Sequence, residues 1–192
     1  SAGHAHPDAA SFIIFSKGAY LTGDTGYAGV PMTAHHNTVL INGKGQAKEG
    51  QGHDAFDGMP YEQLNQIRIL EAKLSAQTAM IRCDATAAYA PELGLRSFTR
   101  TFQWTGKEFV VTDEISTEQP GIATTLWHAD NKVESVGEQA FLLRSGKAGI
   151  HVLVPSQTVA RIEPNELIAP GKPGSVDKGE RQQRGERLAI SN

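Results

Sequence analysis

Histidine and aspartate side chains gather near the start of the chain in a pattern that suits a metal site. His4 and His6 form a His-x-His element, Asp24 follows in a glycine-containing turn, and His36 comes after it. Imidazole nitrogen and carboxylate oxygen are ligand types that zinc favours. The first part of the chain is therefore where the sequence predicts chemistry.

Local sequence supports an extended segment around the first histidines. Alternate side chains of an extended segment lie on the same face, so His4 and His6 point together. Pro7 disfavours a helical conformation at the residue before it. Asp8 is placed either to hydrogen-bond one of the histidines, as carboxylates near metal ligands do, or to cap a turn. Any single histidine here has a structural role as its simplest interpretation, and the metal hypothesis rests on the group.

The composition is typical of a folded domain and does not indicate a nucleic-acid partner. The 192 residues are 39% hydrophobic and 20% charged, with a formal net charge of −3. This length can bury a core, and this charge excludes a strongly basic binding arm. No apolar run approaches the roughly twenty residues that cross a bilayer, so we expect no membrane partner, and Ser1–Gly3 does not read as a signal peptide. Cys83 is the single cysteine and is expected to pack in a strand.

Hydrophobic residues alternate with polar ones over most of the chain, which is typical of strands. The clearest hairpin joins Phe98–Trp104 to Phe109–Ile115 through a turn at Gly106-Lys107, and a second one surrounds Lys17-Gly18. Only Pro60–Gln66 could form a helical turn. The pattern predicts an all-β fold, an antiparallel β-sandwich. Further strand candidates are Thr38–Ile41, Ile67–Leu74, Thr78–Asp84, Ile122–His128, Phe141–Arg144, Ile150–Val154 and Val159–Glu163.

The turn at Gly106-Lys107 fixes a register for the clearest hairpin. It pairs Trp104 with Phe109, Phe102 with Val111, Arg100 with Asp113 and Phe98 with Ile115. We interpret Arg100 and Asp113 as a structural ion pair on an apolar face.

Two stretches interrupt the strand pattern. Residues 43–58 are rich in glycine and carry His53, so they predict a long loop of the kind that often carries function. Residues 170–187 are rich in glycine, lysine and arginine and predict a flexible loop.

Several motifs together resemble a known family. They are Gly3-His4-Ala5-His6-Pro7-Asp8, Ser11-Phe12, Gly23-Asp24-Thr25-Gly26, and His36-Asn37-Thr38-Val39 with Asn42-Gly43 and Gln46. In this order they look like the heparinase II/III-like domain. That domain is the C-terminal β-sandwich of bacterial polysaccharide lyases that act on heparin, heparan sulfate or alginate.

The resemblance implies a domain organisation and a set of site residues. Residues 1–192 would be the supersandwich-like domain of a longer lyase, lacking the N-terminal α/α toroid that packs against it across the active-site cleft. His6, Asp24 and His36 would hold a structural zinc ion, and His4 would face the substrate as the catalytic histidine. We also expect Tyr27 and His53 to contact substrate.

The activity that the resemblance implies is β-elimination of a uronate-containing polysaccharide, with alginate favoured. The partners would be an acidic polysaccharide or oligosaccharide and the missing toroid, in the periplasm or outside the cell of a bacterium. The isolated domain would catalyse little by itself.

Other functions stay open at this point. A heparin or heparan sulfate lyase domain has the same motifs. A non-catalytic carbohydrate-binding sandwich would use Trp104 and Trp127 as a stacking platform. A cupin-like metalloenzyme also carries His-x-His on a β scaffold, but its further ligands are not at recognisable spacing.

Overall fold

A computed structural model of the chain describes residues 5–23, 31–47, 55–168 and 181–192. Antiparallel strands dominate this part of the chain, as the alternating pattern predicts, and the fold is an all-β sandwich. Among the described residues, no helix has the length and apolar character that spanning a membrane requires.

The strands are short at the start of the chain and longer toward its end. They are β1 Ile14–Ser16, β2 Ala19–Thr22, β3 Val39–Ile41, β4 Arg68–Leu74, β5 Ala79–Asp84, β6 Leu95–Trp104, β7 Phe109–Thr117, β8 Ala123–Ala129, β9 Val133–Gly137, β10 Ala140–Ser145, β11 Ala148–Leu153, β12 Val159–Ile168 and β13 Arg181–Ser191. The helical pieces are the α-helix α1, Tyr61–Leu64, and the 3₁₀ turns Thr33–His35, Thr86–Ala88 and Pro91–Leu93.

The strands form four sheets among the described residues. Two four-stranded sheets have the orders β12-β13-β8-β3 and β4-β5-β6-β7. A three-stranded sheet, β11-β10-β9, and the hairpin β1-β2 complete the set. β3 pairs with β8 rather than with the chain that follows its Asn42-Gly43 turn, because that chain leaves the sheet after the single bridge between Ile41 and Lys44.

The β6-β7 hairpin confirms the predicted register at all four pairs, Trp104 with Phe109, Phe102 with Val111, Arg100 with Asp113 and Phe98 with Ile115. Gly106 has a φ of 90° in the connecting turn, a conformation that glycine adopts without a side-chain clash. The turn chemistry and the two-residue period were together enough to fix this pairing.

Two buried clusters form the core of the described part of the chain. One joins β8, β10, β11 and β13 and includes Trp127, Leu143 and Leu188, with Phe12 and Phe109 packed against it. The other joins β3 to β6 through Val39, Ile41 and Phe98, together with Tyr89. Burial raises the pKa of Tyr89 to about 12, and its hydroxyl donates a hydrogen bond to Val39 O at 2.7 Å. β3, which begins three residues after His36, is therefore buried in the core of the sandwich.

The prediction of a flexible loop at 170–187 is wrong for residues 181–187, which belong to a strand. β13 begins at Arg181, and its main chain pairs with both β12 and β8. Gly185 has a φ of 70°, and a Cβ atom there would collide with Ala129 O on β8. Pairing with β12, joined from Glu186 onward by pairing with β8, thus orders a segment whose composition alone is typical of a loop.

Candidate metal centre

Two of the predicted metal ligands meet in the fold. His6, Asp8 and His36 each offer a ligand atom, and these atoms all lie within 4.8 Å of one another. The rings of His6 and His36 have centroids 5.4 Å apart and are tilted by 47°. His36 is fully buried, His6 is half-buried and Asp8 is exposed, so the group reaches from the core to the surface. Two imidazoles and a carboxylate are a donor set that zinc accepts.

The structure places some predicted site residues and leaves others outside its described part. His6 and His36 come together as predicted. Asp8, expected only to support a histidine or to cap a turn, is close enough to be a ligand itself. The predicted ligand Asp24 and the predicted substrate residues His4, Tyr27 and His53 lie outside the described residues, and their roles stay predictions.

The segment that carries His6 and Asp8 is held by a set of buried polar side chains, Asn37, Thr38, Gln46 and Arg100, which we call the anchor residues. All four are fully buried. Each of them bonds main-chain groups of residues 9–12, just after Asp8. Buried main-chain groups need such partners when no strand supplies them.

Gln46 binds both main-chain groups of one residue. Its Oε1 accepts the N–H of Ala9 at 2.9 Å, and its Nε2 donates to Ala9 O at 2.9 Å. The Thr38 hydroxyl donates to the same carbonyl at 2.9 Å. Ala10, which follows Ala9, and Ala47, which follows Gln46, have left-handed φ values of 60° and 46°. Because this conformation is strained for alanine, the hydrogen bonds determine the local path of the chain.

Asn37 connects three separate segments through its amide. Its Nδ2 donates to Phe12 O at 2.7 Å and to Gly23 O at 2.8 Å. Its Oδ1 accepts the main-chain N–H of His128 at 2.7 Å. Asn37 directly follows His36, so one side chain fixes the metal-site histidine relative to the N-terminal segment and to β8.

Arg100 completes the anchor from the opposite sheet. One nitrogen, Nη1, donates to Ala10 O and to Asn37 O, each at 2.8 Å. Nε and Nη2 contact the two carboxylate oxygens of Asp113 at 2.6 and 2.8 Å, and Thr125 also donates to Asp113. The predicted ion pair is thus present, and it also holds the two ligand-bearing segments together.

His128 supports the turn before His36 rather than lining an open site. Its Nε2 lies 2.9 Å from Ala34 O, a carbonyl that also accepts a hydrogen bond from Arg187 Nη1 at 3.0 Å. Burial lowers the pKa of His128 to about 3; the hydrogen bond to Ala34 opposes this shift, whereas Arg187, His36 and His35 add to it. Although both ring nitrogens face oxygens, desolvation dominates, and the ring is neutral.

The neutral state of His128 predicts a pH-dependent stability. The unfolded chain takes up a proton near pH 6.5 and the folded chain only near pH 3, so stability is complete above pH 6.5 and falls as the pH drops through this window. The loss is about 1.4 kcal/mol per pH unit, or about 2 kcal/mol between pH 7.5 and pH 5. Urea unfolding at both pH values measures it. His128→Gln, which keeps an N–H donor, should remove this share of the pH dependence, and an unchanged slope would contradict the prediction.

The remaining aromatic and sulfur residues have mostly structural positions. His35 is buried, and its Nδ1 accepts the N–H of Met32 at 3.3 Å. Trp127 is 7% exposed, so it cannot form a stacking platform with Trp104. His151 is exposed on β11. Cys83 lies in β5, half-buried, and its thiol contacts Arg100 O.

Sequence reasoning missed the functional meaning of the anchor residues. Asn37, Thr38 and Gln46 belong to the motif that carries the family resemblance, which was the available signal. Their partners are main-chain groups up to 91 residues away, and no side-chain pattern encodes those groups.

The fold and the site define the class of the protein as an antiparallel β-sandwich domain with a candidate metal centre at its N-terminal segment. The chain belongs to the heparinase II/III-like, C-terminal family, whose model matches residues 1–188. This is a family of polysaccharide lyases, and its match confirms the resemblance seen in the motifs. A search of curated proteins finds no match.

Proposed function

We propose that the chain is the β-sandwich domain of a bacterial lyase that cleaves a uronate-containing polysaccharide, with alginate or its oligosaccharides as the favoured substrate. The observation that carries this proposal is the family match over residues 1–188. The arrangement of His6, Asp8 and His36 beside the N-terminal segment supports it. The preference for alginate over heparin or heparan sulfate rests on the run from Asn37 to Gln46.

The reaction is a β-elimination on the uronate. A base removes the proton at C5, the bond from C4 to the bridging oxygen breaks, and an acid returns a proton to that oxygen. A double bond forms between C4 and C5, so the new end is an unsaturated uronate. The carboxylate must be neutralised for C5 to lose its proton, and a histidine that titrates near neutrality suits this role or that of the base. We assign to His4 one of these two functions, neutralising the carboxylate or acting as the base.

The residues that would hold zinc are His6 and His36 with an aspartate, either Asp24 or Asp8. Bound there, zinc would supply structural cross-linking of the chain segments rather than a reactive water. Tyr27 and His53 would contact the sugar. The proposal further includes an α/α toroid elsewhere in the parent protein, which supplies the other side of the cleft, and a periplasmic or extracellular location.

Activity of the parent protein, toroid included, tests the proposed function. Incubation with alginate, heparin and heparan sulfate in parallel should raise the ultraviolet absorbance of the unsaturated uronate, most strongly with alginate. His4→Ala should lower kcat by about 10²- to 10⁴-fold, the range that general acid–base groups contribute, with the fold unchanged. His151→Ala, at an exposed position, is the control. Absence of absorbance change on all three polymers would refute the lyase assignment.

Metal binding can be tested on the chain itself. We expect about one zinc per chain by elemental analysis and a lower melting temperature after chelation, because a structural ion stabilises the folded state. His36→Ala should weaken zinc binding by at least about 100-fold, since even changes around metal ligands cost 10- to 100-fold. His151→Ala should leave the affinity unchanged.

Two matched variants identify which aspartate is the zinc ligand. Asp8→Asn and Asp24→Asn each remove one charge and keep side-chain size, and the variant that loses zinc identifies the ligand. A chain with no zinc and no response to chelation would contradict the metal assignment while leaving the lyase test standing.

A further inference from the structure

β4 presents an open edge in the described structure. It is an outer strand of the sheet β4-β5-β6-β7, and all seven of its residues are exposed. The main-chain groups that point away from β5 meet no other described strand. An exposed edge of this kind is a template for pairing with another chain.

Apolar side chains accompany this edge. Ile69, Leu70 and Leu74 are 65%, 40% and 72% exposed. Leu74 pairs with Ala79 on β5, which pairs with Trp104 on β6, and Trp104 is 42% exposed. Because directly paired residues share a face, Leu74, Ala79 and Trp104 form one apolar strip that runs from the edge toward the core.

The charges on β4 are complementary to those of a second copy of the same strand. Glu71 and Lys73 lie on the face opposite Ala72 and Leu74, and their charged groups are 2.6 Å apart. A two-fold axis through Ala72 would place each Glu71 opposite the Lys73 of the other copy. The same axis would place the two Ala72 side chains opposite each other, on the face that also carries Leu74. One face of the new pairing is then ionic and the other is apolar.

Other registers do not have this complementarity. Paired residues must lie on the same face, so the two-fold axis has to pass through a residue. An axis through Glu71 sets two carboxylates against each other, and an axis through Lys73 does the same with two ammonium groups. Axes through Leu70 or Leu74 form no pair between Glu71 and Lys73.

Edge strands often carry charges and bulges that prevent pairing, and β4 has both. The irregularity lies between Ile69 and Glu71, at one end of the strand. The pairing from Glu71 to Leu74 is regular. Glu71 and Lys73 would lose hydration against the apolar edge of an unrelated strand, which disfavours such pairing. Against a second, antiparallel copy of β4, each of them meets the opposite charge.

We propose that β4 is a homodimer interface. Two copies of the chain pair their β4 strands antiparallel about Ala72, which joins the two four-stranded sheets into one continuous sheet of eight strands. The ion pairs between Glu71 and Lys73 fix the register, and the face that carries Ala72 and Leu74 adds apolar contact. The interface is small, so the dimer forms and dissociates with protein concentration.

A charge-reversal cycle tests this interface on the 192-residue chain. Glu71→Lys and Lys73→Glu each place like charges together twice across the two-fold axis. Sedimentation equilibrium should show a dimer for the unchanged chain and a dissociation constant at least about 10-fold higher for each single variant. The double variant Glu71→Lys with Lys73→Glu restores both ion pairs and should restore the dimer. Melting temperatures of all four chains verify that folding is unaffected, since the side chains are exposed.

A cross-link tests the register independently. In a Cys83→Ser background, Ala72→Cys should form a disulfide-linked dimer on oxidation, because the two-fold axis brings the two positions together. Val110→Cys, on the opposite edge strand β7, is the matched control and should stay monomeric. A chain that is monomeric at all concentrations would overturn the proposal. So would a dimer that is insensitive to both single charge reversals.

Discussion

Replacing Arg100 by methionine is expected to lower the free energy of unfolding by about 3–5 kcal/mol, the cost of breaking a buried ion pair from one side. The guanidinium is fully buried and contacts both oxygens of Asp113 and two main-chain carbonyls. Methionine fills similar space but leaves the mostly buried carboxylate and both carbonyls without these donors. Urea unfolding measures the loss.

The control for Arg100 is an exposed ion pair of the same sheet, between β5 and β7. Arg82 and Glu114 contact at 3.2 Å, with side chains 42% and 65% exposed. Arg82→Met should cost less than about 1 kcal/mol, because exposed pairs contribute little. Arg100→Met combined with Asp113→Leu should recover part of the stability. If Arg100→Met proved as mild as Arg82→Met, the anchor role of Arg100 would be wrong.

Loss of Arg100 should also weaken the metal centre. Its Nη1 holds Ala10 O, two residues after Asp8, and Asn37 O, one residue after His36. With these contacts gone, the segments that carry His6 and His36 are held only by the remaining bonds of Asn37, Thr38 and Gln46, so their relative position is less well fixed. We expect Arg100→Met to weaken zinc binding by about 10- to 100-fold at a temperature where the variant remains folded.

Asn37→Asp is expected to cause the second largest loss of stability, although it only replaces the side-chain amide by a carboxylate. The Asn37 amide donates to Phe12 O and Gly23 O, and a carboxylate would place a negative oxygen against these two carbonyls. The site is fully buried, so the charge is also desolvated. We expect a loss of about 3–5 kcal/mol near pH 7, the range for an unpaired buried charge.

The pH dependence of Asn37→Asp distinguishes this cause from a simple loss of packing. Protonation of the introduced carboxyl removes its charge and supplies one donor, so the difference from the unchanged chain should shrink as the pH falls toward 5. Asn131→Asp is the control, because Asn131 is exposed and its amide donates to Arg144 O. A loss at Asn37 no larger than that at Asn131 would contradict the assigned role.

Both predictions concern residues whose importance the sequence indicates only in part. The β6-β7 register followed from a two-residue turn and an alternating pattern, so the contact between Arg100 and Asp113 was predictable. Its two further bonds to carbonyls of Ala10 and Asn37 were not, because they depend on how a distant segment crosses the sheet. The hydrogen-bond partners of Gln46 were not predictable from the sequence for the same reason.

The sequence by itself determined the all-β class, most strands, the main hairpin register and the nomination of His6 and His36 as metal ligands. These features depend on local periodicity, turn residues and side-chain type. Only the tertiary structure decided that Asp8 joins the two histidines, that His128 and Trp127 are buried, and that residues 181–187 form a strand. Those outcomes depend on long-range strand pairing and on main-chain groups that need buried partners, and neither is encoded within a short stretch of sequence.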